Sequence, residues 1–247
     1  MACVRPSHPN CTLTVCPAVT TLLHFLFTCA GGSGAHTHIS VHRTIGSSPP
    51  SRSHPSLLTT HEYHFLAGLM AHLSSVIAFT LPLPQSYARV QDGIWSGGTW
   101  VCWGVDHREA SVRLANPSSP HARNFEVRSV DGTANPYFVL SGLLSAGIVG
   151  IRDRLALEVE CCGEQTAAKM SEAERAEKGI TKQLPLDVET ARKRLLEDRK
   201  IGELIGENVV KKFVVVNKVS HYLMAVTVLN RDYFVDTRES YAAGRRG

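Results

Sequence analysis

The stretch Gly31-Gly-Ser-Gly-Ala-His-Thr-His-Ile-Ser40 constrains the fold more than any other part of the chain: a glycine-rich turn runs into strictly alternating residues. Extended backbone places successive side chains on opposite faces. His36, His38 and Ser40 therefore share one face of a strand, and Ala35, Thr37 and Ile39 share the other. Two imidazoles and a hydroxyl, behind a turn that lets a ligand approach the backbone, suit metal and phosphate binding. A solvent-facing strand in a chain with twelve histidines would look the same, so spacing alone leaves both readings open.

A second strand, Phe125-Glu-Val-Arg128, alternates in the same way, with Glu126 and Arg128 on one face and Phe125 and Val127 on the other. The pair is either a plain ion pair or a hard metal ligand set beside an anion clamp. Arginines recur nearby at Arg89, Arg108, Arg113 and Arg123. Phosphoryl transfer needs such positive groups around the moving phosphate, although surface arginines are common. His61-Glu-Tyr-His64 lacks the spacing of a zinc peptidase and reads as a helix start, and Glu158 and Glu160 read as solvated helix-end charges.

The chain has 247 residues, of which 43% are hydrophobic and 19% charged, so a packed core is expected rather than disorder. Net charge is +4, with no basic block or basic-aromatic stripe, which argues against nucleic acid as a partner. Seven cysteines without a C-x-x-C pair point to reduced thiols and a cytoplasmic setting. Ala18 to Ala30 imitates the apolar part of a signal peptide, but it is too short to span a membrane, and none is expected as a partner.

Met1 to Cys16 shows no clean period and is expected to be irregular. Arg43 to Pro55 is a Ser/Pro-rich loop, and the apolar spacing over Glu62 to Ala78 predicts a helix that Pro82 and Pro84 close. Val90 to Gly98 holds three glycines and reads as a mobile loop. Trp100 to Trp103, Ala110 to Leu114 and Asn124 to Val130 read as strands. Asn135-Pro136 opens a helix running through Ile151, Thr166 to Lys178 is a polar helical patch, and Asp187 caps a second long helix. The fold class is α+β, antiparallel strands first and helices packed after them.

Together these segments resemble the catalytic domain of glutamine synthetase. Gly32-Ser-Gly-Ala-His-Thr-His-Ile-Ser40 is similar to the family's G-S-G-M-H-x-H-x-S strand, and Phe65 to Pro82 to its helix and A-F-T-x-P. Ser86-Tyr-Ala-Arg89 resembles N-S-Y-x-R without the Asn, and His107-Arg-Glu-Ala-Ser-Val-Arg113 resembles N-R-x-A-x-x-R. Phe125-Glu-Val-Arg128 with Asp131-Gly-Thr-Ala-Asn-Pro-Tyr137 resembles I-E-x-R…D-x-x-A-N-P-Y. Leu184-Pro185 and Ala191 to Gly206 look like the family's C-terminal helices. The resemblance implies a partial catalytic domain over 31–219, between non-family segments at 1–30 and 220–247. It implies that His36 and Glu126 bind a divalent cation (Mg2+ or Mn2+) and that His38 and Ser40 contact ATP. Arg89 and Arg128 would hold the substrate carboxylate, Arg108 would bridge substrate and phosphate, Arg113 would neutralise ATP phosphates, and Gly32 would lie along the substrate backbone. The implied partners are glutamate and ammonia or an amine, joined through a γ-glutamyl phosphate in a homo-oligomer.

The departures from the family pattern set further expectations. The family's flap carries a glutamate of the ammonium site, whereas Val90 to Thr99 has none and places Ile94-Trp95 there. That implies a divergent branch using a larger amine, closer to the glutamine-synthetase-like proteins of fungi. Gly31, His121 and Asn124 replace an Asn, a Lys and an Arg of the pattern. Four further metal glutamates, and the N-terminal domain, would precede the His-x-His strand and find no match in 1–30. The expectation is an incomplete gene model carrying half a site; the alternative is a catalytically inactive homologue kept for oligomer assembly or nucleotide binding.

Overall fold

The computed structural model describes residues 34–43, 50, 57–223 and 226, together with the backbone of Ala2–Val4 and Cys11–Pro17. Gly32, the Ala18 to Ala30 stretch and most of the Arg43 to Pro55 loop lie outside them. The chain divides into two compact units, Met1–Glu207 and Asn208–Gly247. In the second, residues 208–223 are helical, with Val215, Val216 and Val219 exposed.

Six strands of the first unit form one sheet: β1 (Ala2–Val4), β2 (Cys11–Pro17), β3 (Thr37–Arg43), β4 (Trp103–Val105), β5 (Val112–Ala115) and β6 (Asn124–Val127). Their spatial order is β1-β2-β3-β6-β5-β4. All pairs are antiparallel except β4 with β5, which is parallel across a tight connection where Asp106 turns through a positive φ of 49°. An irregular N-terminal stretch is not what forms at β1 and β2. Cys11-Thr-Leu-Thr-Val-Cys-Pro17 is rich in β-branched residues and pairs along its whole length with β3.

The register sorts the sheet into two faces. Ile39, Phe125 and Leu114 line up across β3, β6 and β5 and are at most 1% exposed. One step along, His38, Glu126 and Arg113 line up on the opposite face. The periodicity of two thus supplies both the core contact and the polar row.

Helix α1 (Thr60–Thr80) covers the apolar face. Thr59 and Glu62 form a capping box, the side chain of each accepting the other's backbone N–H. By length and apolarity α1 could cross a membrane, yet 78% of its apolar window is buried inside the fold, so it is a core helix. Its Phe65 stacks on Phe125 of β6 at 5.8 Å, which seats the helix on the sheet. Glu62 turns inward and receives both Nε and Nη2 of Arg123 at 2.8 Å, a buried bidentate pair holding the start of α1 to the entrance of β6.

Helix α2 (Pro136–Arg152) starts where Asn135 Oδ1 accepts the Tyr137 N–H, as Asn followed by Pro predicts. Gly142, Ala146 and Gly150, four apart, form a stripe of small residues against α1. A β-carbon on Gly150 would lie 2.0 Å from the His64 carbonyl oxygen and 2.7 Å from the Gly68 nitrogen, so the two backbones touch there. The polar patch after α2 becomes a 3-10 turn at Ala167–Lys169 and the short helix α3 (Glu172–Glu177). Glu158 and Glu160 are exposed as expected, but in an extended segment beyond α2 rather than at its end.

The predicted second long helix is two: α4 (Val188–Glu197), capped by Asp187, and α5 (Arg199–Ile205). Asp198 separates them. Its Oδ1 accepts the Ile201 N–H at 3.2 Å, and its Oδ2 accepts from His72 Nδ1 of α1 at 2.7 Å. Burial works against the Asp198 charge, but the His72 hydrogen bond and charge, with hydrogen bonds from Ser75 and the Ile201 N–H, together outweigh it and hold the carboxyl below its ordinary value of 3.8. A depressed carboxyl stabilises the fold fully above its unfolded pKa and loses that contribution as pH falls through the folded one. Asp198→Ala is therefore expected to cost about 2 kcal/mol near neutral pH, in the range of a lost cap. In urea titrations repeated at several pH values, the gap from the parent should close below the ordinary carboxyl pKa. A gap that persists in acid would show that the charge is not responsible.

Candidate active site

The polar row on the open face is the centre of the site. Glu126 is 2% exposed although it points away from the core, because cationic side chains enclose it. His36 Nδ1 lies 2.7 Å from its Oε1, Arg128 Nη1 2.5 Å from the same oxygen, and Arg113 Nε 2.5 Å from Oε2. Arg128 donates along a hydrogen bond, whereas the Arg113 contact is close but poorly aligned, leaving Arg113 Nε and Glu126 Oε2 without a hydrogen bond. Burial opposes the Glu126 charge. The His36 hydrogen bond, then Arg128 and Arg113, overcome it and hold the carboxyl at about 2.

Arg128 is itself buried, and burial lowers its pKa against the pull of Glu126. Its Nη2 reaches 2.6 Å to the carbonyl of Trp95, tying the cluster to the 90–99 loop. Arg108 projects from the β4–β5 connection with its guanidinium 6.0 Å from the Trp95 ring centroid. Arg89 ends a 3-10 turn (Pro84–Arg89), 3.7 Å from Asp131. It approaches His36 only because Gly34 has no side chain: a β-carbon there would lie 2.7 Å from Arg89 Nη2 and 3.2 Å from His36 Nε2. Two arginines, Arg113 and Arg128, thus pair with Glu126, while Arg89 pairs with Asp131 and Arg108 lies over Trp95.

His38 and Ser40 sit farther up β3 and are already engaged. His38 Nδ1 meets Asn124 Oδ1 at 2.8 Å, and Ser40 Oγ donates to the Arg123 carbonyl at 3.0 Å. Asn124 stands where the family pattern has arginine, so the substitution exchanges a cation for a hydrogen-bond partner of His38.

The loop from Val90 to Gly98 is tied down at several points by hydrogen bonds. The carboxylate of Glu109 accepts the Gly93 N–H at 2.7 Å and also the Trp95 N–H, while Asp92 accepts the Thr99 N–H and hydroxyl at 2.8 Å each. Glu109 carries no distinguishing sequence signal; that it is buried, at 8% exposed, is visible only in the structure.

His36 and Glu126 are the donors that the expected divalent ion would find here. Oε2 of Glu126 already faces Arg113 Nε at 2.5 Å, so a metal ion there would have to displace that guanidinium. Two donors moreover do not make a Mg2+ or Mn2+ site, which surrounds the ion with about six ligands. Among the described residues, no group of three or more His, Cys, Asp or Glu side chains could hold a metal. By itself this cluster does not fit the ion, and the arginines neutralise Glu126 instead.

Fold and site together place a carboxylate–arginine cluster on the open face of the sheet, and comparison with known proteins identifies the family. The family described as "Glutamine synthetase, catalytic domain" matches residues 18–232, and the chain belongs to the glutamine synthetase family. It is 36% identical to the protein fluG of Emericella nidulans over 189 residues, covering 76% of this chain and 19% of fluG. Over 178 residues it is 29% identical to the γ-glutamylpolyamine synthetase GlnA3 of Streptomyces coelicolor, covering 71% of this chain and 37% of that enzyme. The crystal structure of a novel glutamine synthase homologue superposes with a TM-score of 0.59 at 25% identity, covering 78% of this chain and 42% of the other. The chain therefore spans less than half the length of each of these relatives.

Proposed function

We propose that the chain carries the arginine half of a glutamine-synthetase-like active site, which joins glutamate to ammonia or an amine at the expense of ATP. The observation that carries this reading is the pairing of Arg113 and Arg128 with the buried Glu126, beside Arg89 on Asp131 and Arg108 over Trp95. In this reaction the γ-carboxylate of glutamate attacks the terminal phosphate of ATP, ADP leaves, and the amine displaces phosphate from the acyl phosphate. Every species before the last step is anionic, so positioned guanidinium groups stabilise the charge that builds on transferring oxygens. Arg128 and Arg89 hold the substrate carboxylates, Arg113 faces the nucleotide phosphates, and Arg108 bridges the two. His38 and Ser40 face the nucleotide, Gly32 is assigned to the substrate by motif resemblance alone, and His36 and Glu126 would supply only two ligands of a Mg2+ or Mn2+ site that needs others. Trp95 in place of an acidic flap residue, and likeness to a γ-glutamylpolyamine synthetase, favour an amine larger than ammonia.

The two-donor cluster also supports a second reading, a homologue that binds glutamate or nucleotide without turnover. Assaying the purified chain for γ-glutamyl hydroxamate, with ATP, glutamate, hydroxylamine and Mg2+ or Mn2+, separates the two. Product dependent on ATP and glutamate supports the ligase. Absence of product, with glutamate binding retained by a folded chain, supports the non-catalytic homologue.

A further inference from the structure

We propose that Glu109 is a positioning residue that latches the 90–99 loop over the arginine cluster and thereby sets the geometry of Arg128. Trp95 lies in the left-handed region at φ 59°, which is unfavourable for a bulky side chain, and its indole is 67% exposed. Neither helix nor sheet holds it there. Three hydrogen bonds do: two main-chain N–H groups, from Gly93 and Trp95, converge on the two Glu109 carboxylate oxygens, and Arg128 Nη2 donates to the Trp95 carbonyl. A buried carboxylate accepting two N–H groups is a strong anchor. The glycines allow the path, with positive φ at Gly93, Gly97 and Gly98. Gly97 packs on the Arg128 side chain, since a β-carbon there would lie 3.1 Å from Arg128 Cβ. Glu109 never touches Arg128, yet it fixes the loop carbonyl that holds one arm of that guanidinium, while Glu126 holds the other. The consequence for substrate rests on the ligase reading; the latch itself does not.

The test is amide hydrogen exchange on the full chain, with glutamate titration alongside. In Glu109→Ala, exchange at Gly93 and Trp95 is expected to quicken at least tenfold, while the amides of Phe125 and Val127 stay as slow as in the parent. Glutamate affinity is expected to fall roughly tenfold as Arg128 loses its fixed partner. Glu109→Gln, which keeps the shape and one accepting oxygen, should recover part of both effects, and it serves as the test if the alanine variant does not fold. Unchanged exchange at Gly93 and Trp95 in a folded variant overturns the latch. Faster exchange with unaltered glutamate affinity overturns the positioning role. A parent chain that binds no glutamate counts against the ligase reading, while the exchange comparison still decides the latch.

Discussion

Gly150→Ala is expected to destabilise the fold by about 4 kcal/mol or more, at the upper end of what single substitutions cost. The added β-carbon meets backbone on two sides, the His64 carbonyl at 2.0 Å and the Gly68 nitrogen at 2.7 Å, and backbone cannot rotate away as a side chain can. The only relief is to part α1 from α2, which withdraws Phe79 from Phe138, now stacked at 5.5 Å. It also tilts the helix on which Phe65 contacts Phe125, directly behind the polar row. Gly202→Ala in α5 is the control. There the nearest atom to a new β-carbon is Glu207 Cγ at 3.6 Å, and alanine is the better helix former. Urea unfolding of both variants decides the matter: the first midpoint should fall steeply and the second should hold or rise. Equal midpoints would mean that the helices are not in backbone contact.

Arg128→Ala is the substitution with the largest expected effect on ligand binding, roughly a hundredfold loss of glutamate affinity. Its guanidinium spans Glu126 at 2.5 Å and the Trp95 carbonyl at 2.6 Å, so truncation removes an anion clamp and unties the loop together. Lysine restores the charge but not the planar fork, so Arg128→Lys should recover little. A glutamate-dependent thermal shift measures the series. A shift in Arg128→Ala equal to that of the parent would place the substrate elsewhere.

Much of this architecture is legible in the sequence because it is written locally. Helix α1 is foreseen over Glu62 to Ala78 and runs Thr60–Thr80, since its apolar spacing lies within the segment itself. Asn135-Pro136 and Asp187 start their helices as their types require. His38, Glu126 and Arg113 share a face because strand alternation has no freedom once the core side is fixed, and His36 sits just ahead of the first strand residue.

What escaped notice depends on contacts between distant residues. Apolar periodicity runs through Asp198, and the break there reflects a carboxylate drawn to His72 on another helix. Three glycines suggest a mobile loop, but the pins of that loop, Glu109 and Arg128, lie 14 and 33 positions from Trp95. No local pattern signals the parallel pairing of β4 with β5, which is closed by a six-residue connection far shorter than parallel strands usually need. Motif resemblance suggests candidate site residues; that the Glu126 carboxylate is neutralised by arginines comes only from the three-dimensional arrangement.

Calorimetric titration of the purified, folded chain with glutamate tests the central claim most directly, because that claim is that the arginines around Glu126 belong to a glutamate-binding site. Saturable binding at one glutamate per chain is expected, weakening as salt rises and competed by other dicarboxylates of similar length. Absence of saturable heat from a chain whose fold is verified by circular dichroism would contradict the account.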